Sequence, residues 1–339
     1  MNKILIFLLS FIVVGGSLFT SCSDWNDDES VDIKQSTHPD YDKYLESLRA
    51  YKNSDHKYVY AWFDNSVKAP YSRGQHVSDI PDSVDVVSLM YPDGLADFEL
   101  KDIETLQKDK GTKVVYTISY DVIKKAYEQM VKEETEKNEN YVAPLFSTYL
   151  KDNTQSLLNL SSTYKYDGII IGYKGQSTIY MTDAEKAEYN TNQEAFIGQI
   201  KSWYSSNGSK WLIYDGSPQF LNDKSILASC KHILLNTINA ASAVELSVIT
   251  SEALATDVPT DRFVVVASTV SLDTSDKKTG YYDTERAIIE AAYWVTEAGN
   301  GYTKAGLGIY NIQNDYYNAT KVYQYAKESI NIMNPAPTN

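Results

Sequence analysis

Apolar runs of strand length recur along the chain, and between them the apolar positions return every three or four residues. The runs fall at 58–63, 84–91, 113–120, 168–173, 211–214, 232–237, 263–268 and 305–310. They are nearly continuous and rich in Val and Ile, the pattern of strands buried on both faces of a parallel sheet. Helical patterns lie between most of them. Leu100, Ile103 and Leu106 lead to a stop at Gly111, and Phe196, Ile200 and Trp203 share one face. A third helix is predicted to start near Asp283, read as its N-cap, and to bury Ile288, Ala292 and Val295. Eight strands alternating with helices predict an α/β fold, a single-domain (β/α)8 TIM barrel over 57–339. A doubly wound sheet is the competing arrangement, but it rarely needs eight strands of this regularity. Closure of the barrel requires 58–63 to pair with 305–310.

The N-terminus reads as an address. Residues 1–22 combine Lys3, an apolar run over 4–14 and small residues, the layout of a secretory signal too short for a membrane span. Ser21-Cys22 resembles the lipobox of bacterial lipoproteins, with Phe19 where Leu is usual, and this implies lipidation of Cys22. The acidic stretch 23–29 resembles the export signal on surface lipoproteins of Gram-negative bacteria that degrade polysaccharides; it also reads simply as a solvated linker. The resemblance implies a lipid-anchored outer-membrane protein facing the cell exterior. Residues 23–56 read as a polar tether with a short helical pattern around Tyr44 to Tyr51.

Charge and composition exclude several classes. The 339 residues carry a net charge of −14 and no run of Lys or Arg, so a nucleic-acid backbone would be repelled. With Cys22 lipidated, Cys230 has no disulfide partner; it falls on a predicted helix and reads as a small buried hydrophobe. His38, His56, His76 and His232 are scattered without metal-ligand spacing, so no metal or cofactor is expected. The 172–175 stretch lacks the Gly-Lys-Ser/Thr ending of a phosphate loop, and the acidic residues of 183–188 read as a solvated helix face. Tyrosine is over-represented, 28 against 9 Phe. Its ring and hydroxyl suit a surface that grips polar ligands, although any one Tyr is more often plain packing.

In a TIM barrel the working residues sit where strands end. Here those positions supply Trp62, Tyr91, Tyr173, Asp215, Asn236 and Tyr310 as candidate carbohydrate-binding residues. Rings stack on the CH faces of sugars, while amides and phenols bond their hydroxyls. Paired carboxylates are scarce in the set.

The fourth strand, Tyr166-Asp167-Gly168-Ile169-Ile170-Ile171-Gly172-Tyr173-Lys174, resembles the signature of glycoside hydrolase family 18, Asp-Gly-x-Asp-x-Asp-aromatic-Glu. That family holds the chitinases and endo-β-N-acetylglucosaminidases. The stretches 61–65, 80–85, 111–114 and 308–311 agree with its bacterial endoglycosidase branch, and the likeness spans roughly 55–335. Asp167, Gly168 and Tyr173 match. The two inner aspartates fall on Ile170 and Gly172, and the acid glutamate falls on Lys174. The resemblance implies that the substrate's N-acetyl group is the nucleophile, oriented by an Asp and assisted by a protonating Glu. An aliphatic chain, a bare backbone and an amine of reference pKa about 10.4 perform none of these tasks.

The resemblance therefore implies a barrel with a glycan cleft and no catalytic residues. It suggests a cell-surface lipoprotein that captures N-acetylglucosamine-containing or N-glycan-type oligosaccharides, beside an outer-membrane glycan importer and a true hydrolase. The alternative is a weak or unusual glycosidase using Asp215, with Asp121 and Glu245 less well placed.

Overall fold

The computed structural model describes residues 40–336. Eight parallel strands close into a barrel: β1 (Tyr58–Phe63), β2 (Val86–Leu89), β3 (Lys113–Ser119), β4 (Gly168–Tyr173), β5 (Trp211–Gly216), β6 (Ile233–Leu235), β7 (Phe263–Ser268) and β10 (Lys304–Tyr310). Each pairs with its chain neighbour, and β1 meets β10 from Tyr58↔Gly306 to Ala61↔Ile309, which closes the ring as expected. The predicted runs 84–91 and 232–237 are longer than β2 and β6; the extra positions, among them Asp85, His232, Asn236 and Thr237, lie outside the strands.

Side chains alternate across each strand. Tyr60, Val86, Val115, Ile170, Ile213, Leu234 and Val264 point inward and fill the barrel with a separate apolar cluster. Their neighbours, among them Val59, Tyr116, Ile171 and Tyr214, face the helices and join the larger core. Double burial explains the continuous hydrophobicity of the strands.

The covering helices are α2 (Asp97–Thr105), α3 (Tyr120–Lys137), α4 (Phe146–Thr163), α5 (Asp183–Ser206), α6 (Ala243–Glu252), α7 (Ala287–Thr296) and α8 (Gln324–Met333). α2 runs on through a π turn and stops at Gly111, whose φ of 69° suits glycine. α5 opens on a reciprocal cap between Thr182 and Glu185. Helix α1 (Tyr41–Lys52) falls in the stretch read as a tether; its Leu45 and Leu48 are buried. Lys52 reaches the Val84 carbonyl at 2.8 Å and Thr112 Oγ1 at 2.5 Å, at the N-terminal end of the barrel.

Two local expectations change. Asp283 does not cap α7: it sits at φ 53° in the turn between the short antiparallel strands β8 (Tyr281–Tyr282) and β9 (Glu285–Arg286), and the helix begins at Ala287. A short polar side chain tolerates that left-handed conformation, so the same Asp suits a hairpin turn as well as a cap. Cys230 is buried as expected, but it ends a 3-10 turn over 224–229 rather than lying in an α-helix.

Candidate functional site

A cavity of about 650 Å3 opens at the C-terminal end of the barrel. All six residues singled out in the sequence, Trp62, Tyr91, Tyr173, Asp215, Asn236 and Tyr310, contribute to its lining. They do so in different ways. Trp62 and Tyr310 are inward positions on paired strands, with ring centres 5.7 Å apart, and together form an aromatic wall. Tyr91 stands at the rim, half exposed. Its backbone is clamped by Asn65, whose amide donates to the Tyr91 carbonyl and whose carbonyl accepts the Tyr91 N–H, both at 2.8 Å. Tyr173 differs. It is an outward position, 1% exposed, with its ring against Tyr120 and Phe196 and its hydroxyl accepting from Gln193 at 2.9 Å. Its ring packs in the layer between β4 and α5 and offers no face to a ligand.

Strand parity also brings in residues beyond the six candidates. Ser88, Thr117 and Ser119 line the cavity from the inward face of β2 and β3. The Trp62 Nε1–H donates to Thr117 Oγ1 at 3.4 Å. The signal was present: these hydroxyls stand at period two from Val86 and Val115 inside apolar runs, where a polar residue requires a reason. Glu99 is a further omission. It is buried and holds Asn65 at 2.6 Å, Lys68 at 2.9 Å and the Ala96 N–H at 2.7 Å, which fixes the Asn65 clamp.

The positions of the motif are now explicit. Asp167 is structural: it accepts the Val114 N–H at 2.9 Å and the Gln107 amide at 2.8 Å, tying β4 to β3. Gly168 is required for strand contact, since a Cβ there would lie 2.0 Å from the Trp211 carbonyl oxygen. Ile170 is fully buried among the inward aliphatics. Gly172 forms bare cavity wall, and a Cβ on it would meet Thr117 at 3.1 Å and Ser119 at 3.2 Å. Lys174 lines the cavity and is exposed.

Asp215 is paired in register with Gly172 and faces the same space. Burial pushes its carboxyl up to about 7, while the Lys174 ammonium pulls it back down. It thus exchanges a proton near neutrality, as a carboxyl in a largely desolvated pocket does. Asp121 also lines the cavity. Glu245 is committed elsewhere, accepting the Ala241 N–H at 2.8 Å at the start of α6. The histidines are engaged too: His56 with Asp85 at 2.9 Å, His76 with Asp102 at 3.0 Å and His232 with the Tyr60 hydroxyl at 2.7 Å. His38 lies outside the described residues.

The family profile described as glycoside hydrolase family 18, BT1044-like, matches residues 26–332. No curated protein matches the sequence significantly. Among solved structures, a selenomethionine variant of BT1044 superposes with a TM-score of 0.60 at 17% identity, over 88% of this chain and 94% of its own. The apo endo-β-N-acetylglucosaminidase of Cordyceps militaris gives 0.57 at 16% identity, over 86% and 95%. A mutant of that enzyme in complex with fucosyl-N-acetylglucosamine-Asn gives 0.56 at 16% identity, again over 86% and 95%. At such identities these likenesses are ones of fold, and the profile match carries the assignment: the chain belongs to glycoside hydrolase family 18, in its BT1044-like group.

Proposed function

We propose that this family member captures an N-acetylglucosamine-containing or N-glycan-type oligosaccharide and does not cleave it. One observation carries the reading. The cavity keeps an aromatic wall, Trp62 and Tyr310, while positions 170, 172 and 174 present Ile, Gly and Lys. Stacking plus hydroxyl and amide donors suffices for binding. Hydrolysis in this family needs a proton donor and a group to orient the N-acetyl arm, and none of the three positions supplies either. The endo-β-N-acetylglucosaminidases among the structural neighbours support the ligand class.

Surface display belongs to the same proposal. Cys22, as the lipidated residue, lies outside the described residues, as does the acidic stretch after it. A glycan importer and a hydrolase in the outer membrane are the partners that such a binder would serve. Mass spectrometry of the mature N-terminus tests the anchor: an unmodified chain starting elsewhere removes it.

A second reading is supported by Asp215, whose carboxyl near pH 7 is suited to donating a proton in the cavity. One experiment separates the two. The protein is incubated overnight with N-glycans and chito-oligosaccharides and read by mass spectrometry, beside D215A and with calorimetry on the same ligands. Binding without cleavage is the expected result. Cleavage that vanishes in D215A establishes the glycosidase instead.

A further inference from the structure

A second pocket shares a backbone junction with the main cavity. Thr269 lines it, and its Oγ1 donates to the carbonyls of Tyr310 at 3.2 Å and Asn311 at 2.7 Å. The pocket has a volume of about 170 Å3 and is built from the loops after β7 and β10 and the starts of α7 and α8. Arg286 lines it. Its guanidinium carbon lies 5.0 Å from the centre of the Tyr281 ring and 4.5 Å from that of Tyr325. Ring contact holds a guanidinium by its face and leaves the forked N–H edge for an acceptor. Among the described residues no hydrogen bond or ion pair takes up that edge.

Asp315 is the acidic side chain in the same pocket, and its oxygens are already engaged. Oδ2 accepts the Ala326 N–H at 2.8 Å and Oδ1 accepts the Asn318 amide at 3.1 Å. Asp315 therefore moderates the positive field without occupying the Arg286 donors. The remaining lining includes Ser271, whose Oγ accepts the Asp273 N–H at 3.1 Å, and Asn314, whose amide donates to the Val270 carbonyl at 3.3 Å and accepts from Gln313 at 3.2 Å. Each keeps a second lone pair, and the Asn314 amide a second hydrogen, for sugar hydroxyls.

We infer that this pocket binds a single sugar acid, with its carboxylate paired to the free edge of Arg286 and its hydroxyls met by Ser271 and Asn314. A carboxylate matches the guanidinium fork with two parallel hydrogen bonds, which an ammonium does not provide. The volume suits one monosaccharide rather than an oligosaccharide. The site is separate from the Trp62–Tyr310 wall, so it stands or falls independently of the main cavity.

Titration calorimetry on the protein with glucuronate, glucose and acetate tests it. Saturable glucuronate binding is expected, with glucose and acetate each at least tenfold weaker. R286K keeps the charge and loses the fork, so it should weaken glucuronate at least tenfold while its thermal melt stays at the wild-type temperature. W62A should bind glucuronate as the wild type does. Glucuronate binding unchanged in R286K overturns the site, as does an absence of saturable glucuronate binding. Glucose or acetate matching glucuronate overturns the sugar-acid assignment.

Discussion

The indole of Trp62 lies over the backbone of Gly308: a methyl group placed there would meet the ring at 2.8 Å and Val266 at 3.1 Å. Gly308 thus makes the space that lets the Trp62 ring stand beside Tyr310 in the cavity wall. G308A should push the ring aside and lower glycan affinity by about 1–2 kcal/mol, the scale of a modest overpacking rearrangement. Calorimetry against an N-glycan checks this, and an unchanged affinity would detach Gly308 from the site.

Truncating the wall itself should cost more. W62A and Y310A each remove a ring that stacks on a sugar face, for a loss of about 1–3 kcal/mol. Y173A behaves differently, because the Tyr173 ring packs between β4 and α5 against Phe196. It should lower the melting temperature, while affinity measured on the folded fraction stays close to wild type. If Y173A abolishes binding without destabilising the fold, the assignment of its ring to the helix layer is wrong.

The different behaviour of these aromatics marks what was legible in the sequence. Double burial writes itself into long Val/Ile runs, so the strands, their order and the barrel were readable, and so was the place of each strand end. Which face a strand-end residue presents was harder. Tyr173 and Tyr310 both end apolar runs, but they sit at opposite parity relative to the inward residues Ile170 and Gly308. Counting in twos from those positions separates them. The Asp283 turn was ambiguous for another reason: cap and hairpin use the same Asx chemistry, and only the pairing of Tyr281 with Arg286 decides between them.

Restoring the acid alone should restore nothing. K174E replaces the amine with a carboxyl, but position 172 still lacks the group that orients an N-acetyl arm. No turnover is expected on N-glycans or chito-oligosaccharides. G172D is expected to destabilise the protein by about 1–3 kcal/mol, because its Cβ presses on Thr117 and Ser119 within 3.3 Å. Thermal melts check the second statement; measurable turnover by K174E would show that another residue already supplies the orienting group.

Asp215 should make stability fall as pH rises. Its carboxyl titrates near 7 in the fold, raised by burial, against about 3.9 in an unfolded chain. The folded state then binds more protons than the unfolded state between those values, so ionisation at higher pH works against folding. D215N removes this dependence. The variant should gain roughly 1–3 kcal/mol over wild type at pH 8 and little at pH 4, a figure reduced from the full linkage value because cavity water reaches the group. Parallel shifts of both proteins at the two pH values would place the Asp215 carboxyl in the ordinary range.

His232 sets the opposite slope at the other end of the barrel. It is 5% exposed, hydrogen-bonded to the Tyr60 hydroxyl and packed at a tilt against Tyr58, with ring centres 4.4 Å apart. Burial first, and then the charges of Lys231 and Arg262, push it down to about 3. The imidazole is therefore neutral in the fold, while the unfolded chain protonates near 6.5. Its contribution is fully present above 6.5 and is lost as pH falls through the window from 6.5 to about 3. His56 works the other way. Burial opposes its charge, but the bond and charge of Asp85 outweigh that and raise it, so its contribution is complete below about 6.5 and does not vary there. Protonation of His232 in the unfolded chain thus costs the fold on the order of 2 kcal/mol by pH 5. H232Q keeps a partner for the Tyr60 hydroxyl and carries no titrating ring. Its melting temperature should drop less than that of the wild type between pH 7 and pH 5, and an equal drop in the two proteins would show that His232 is not the group whose protonation weakens the fold.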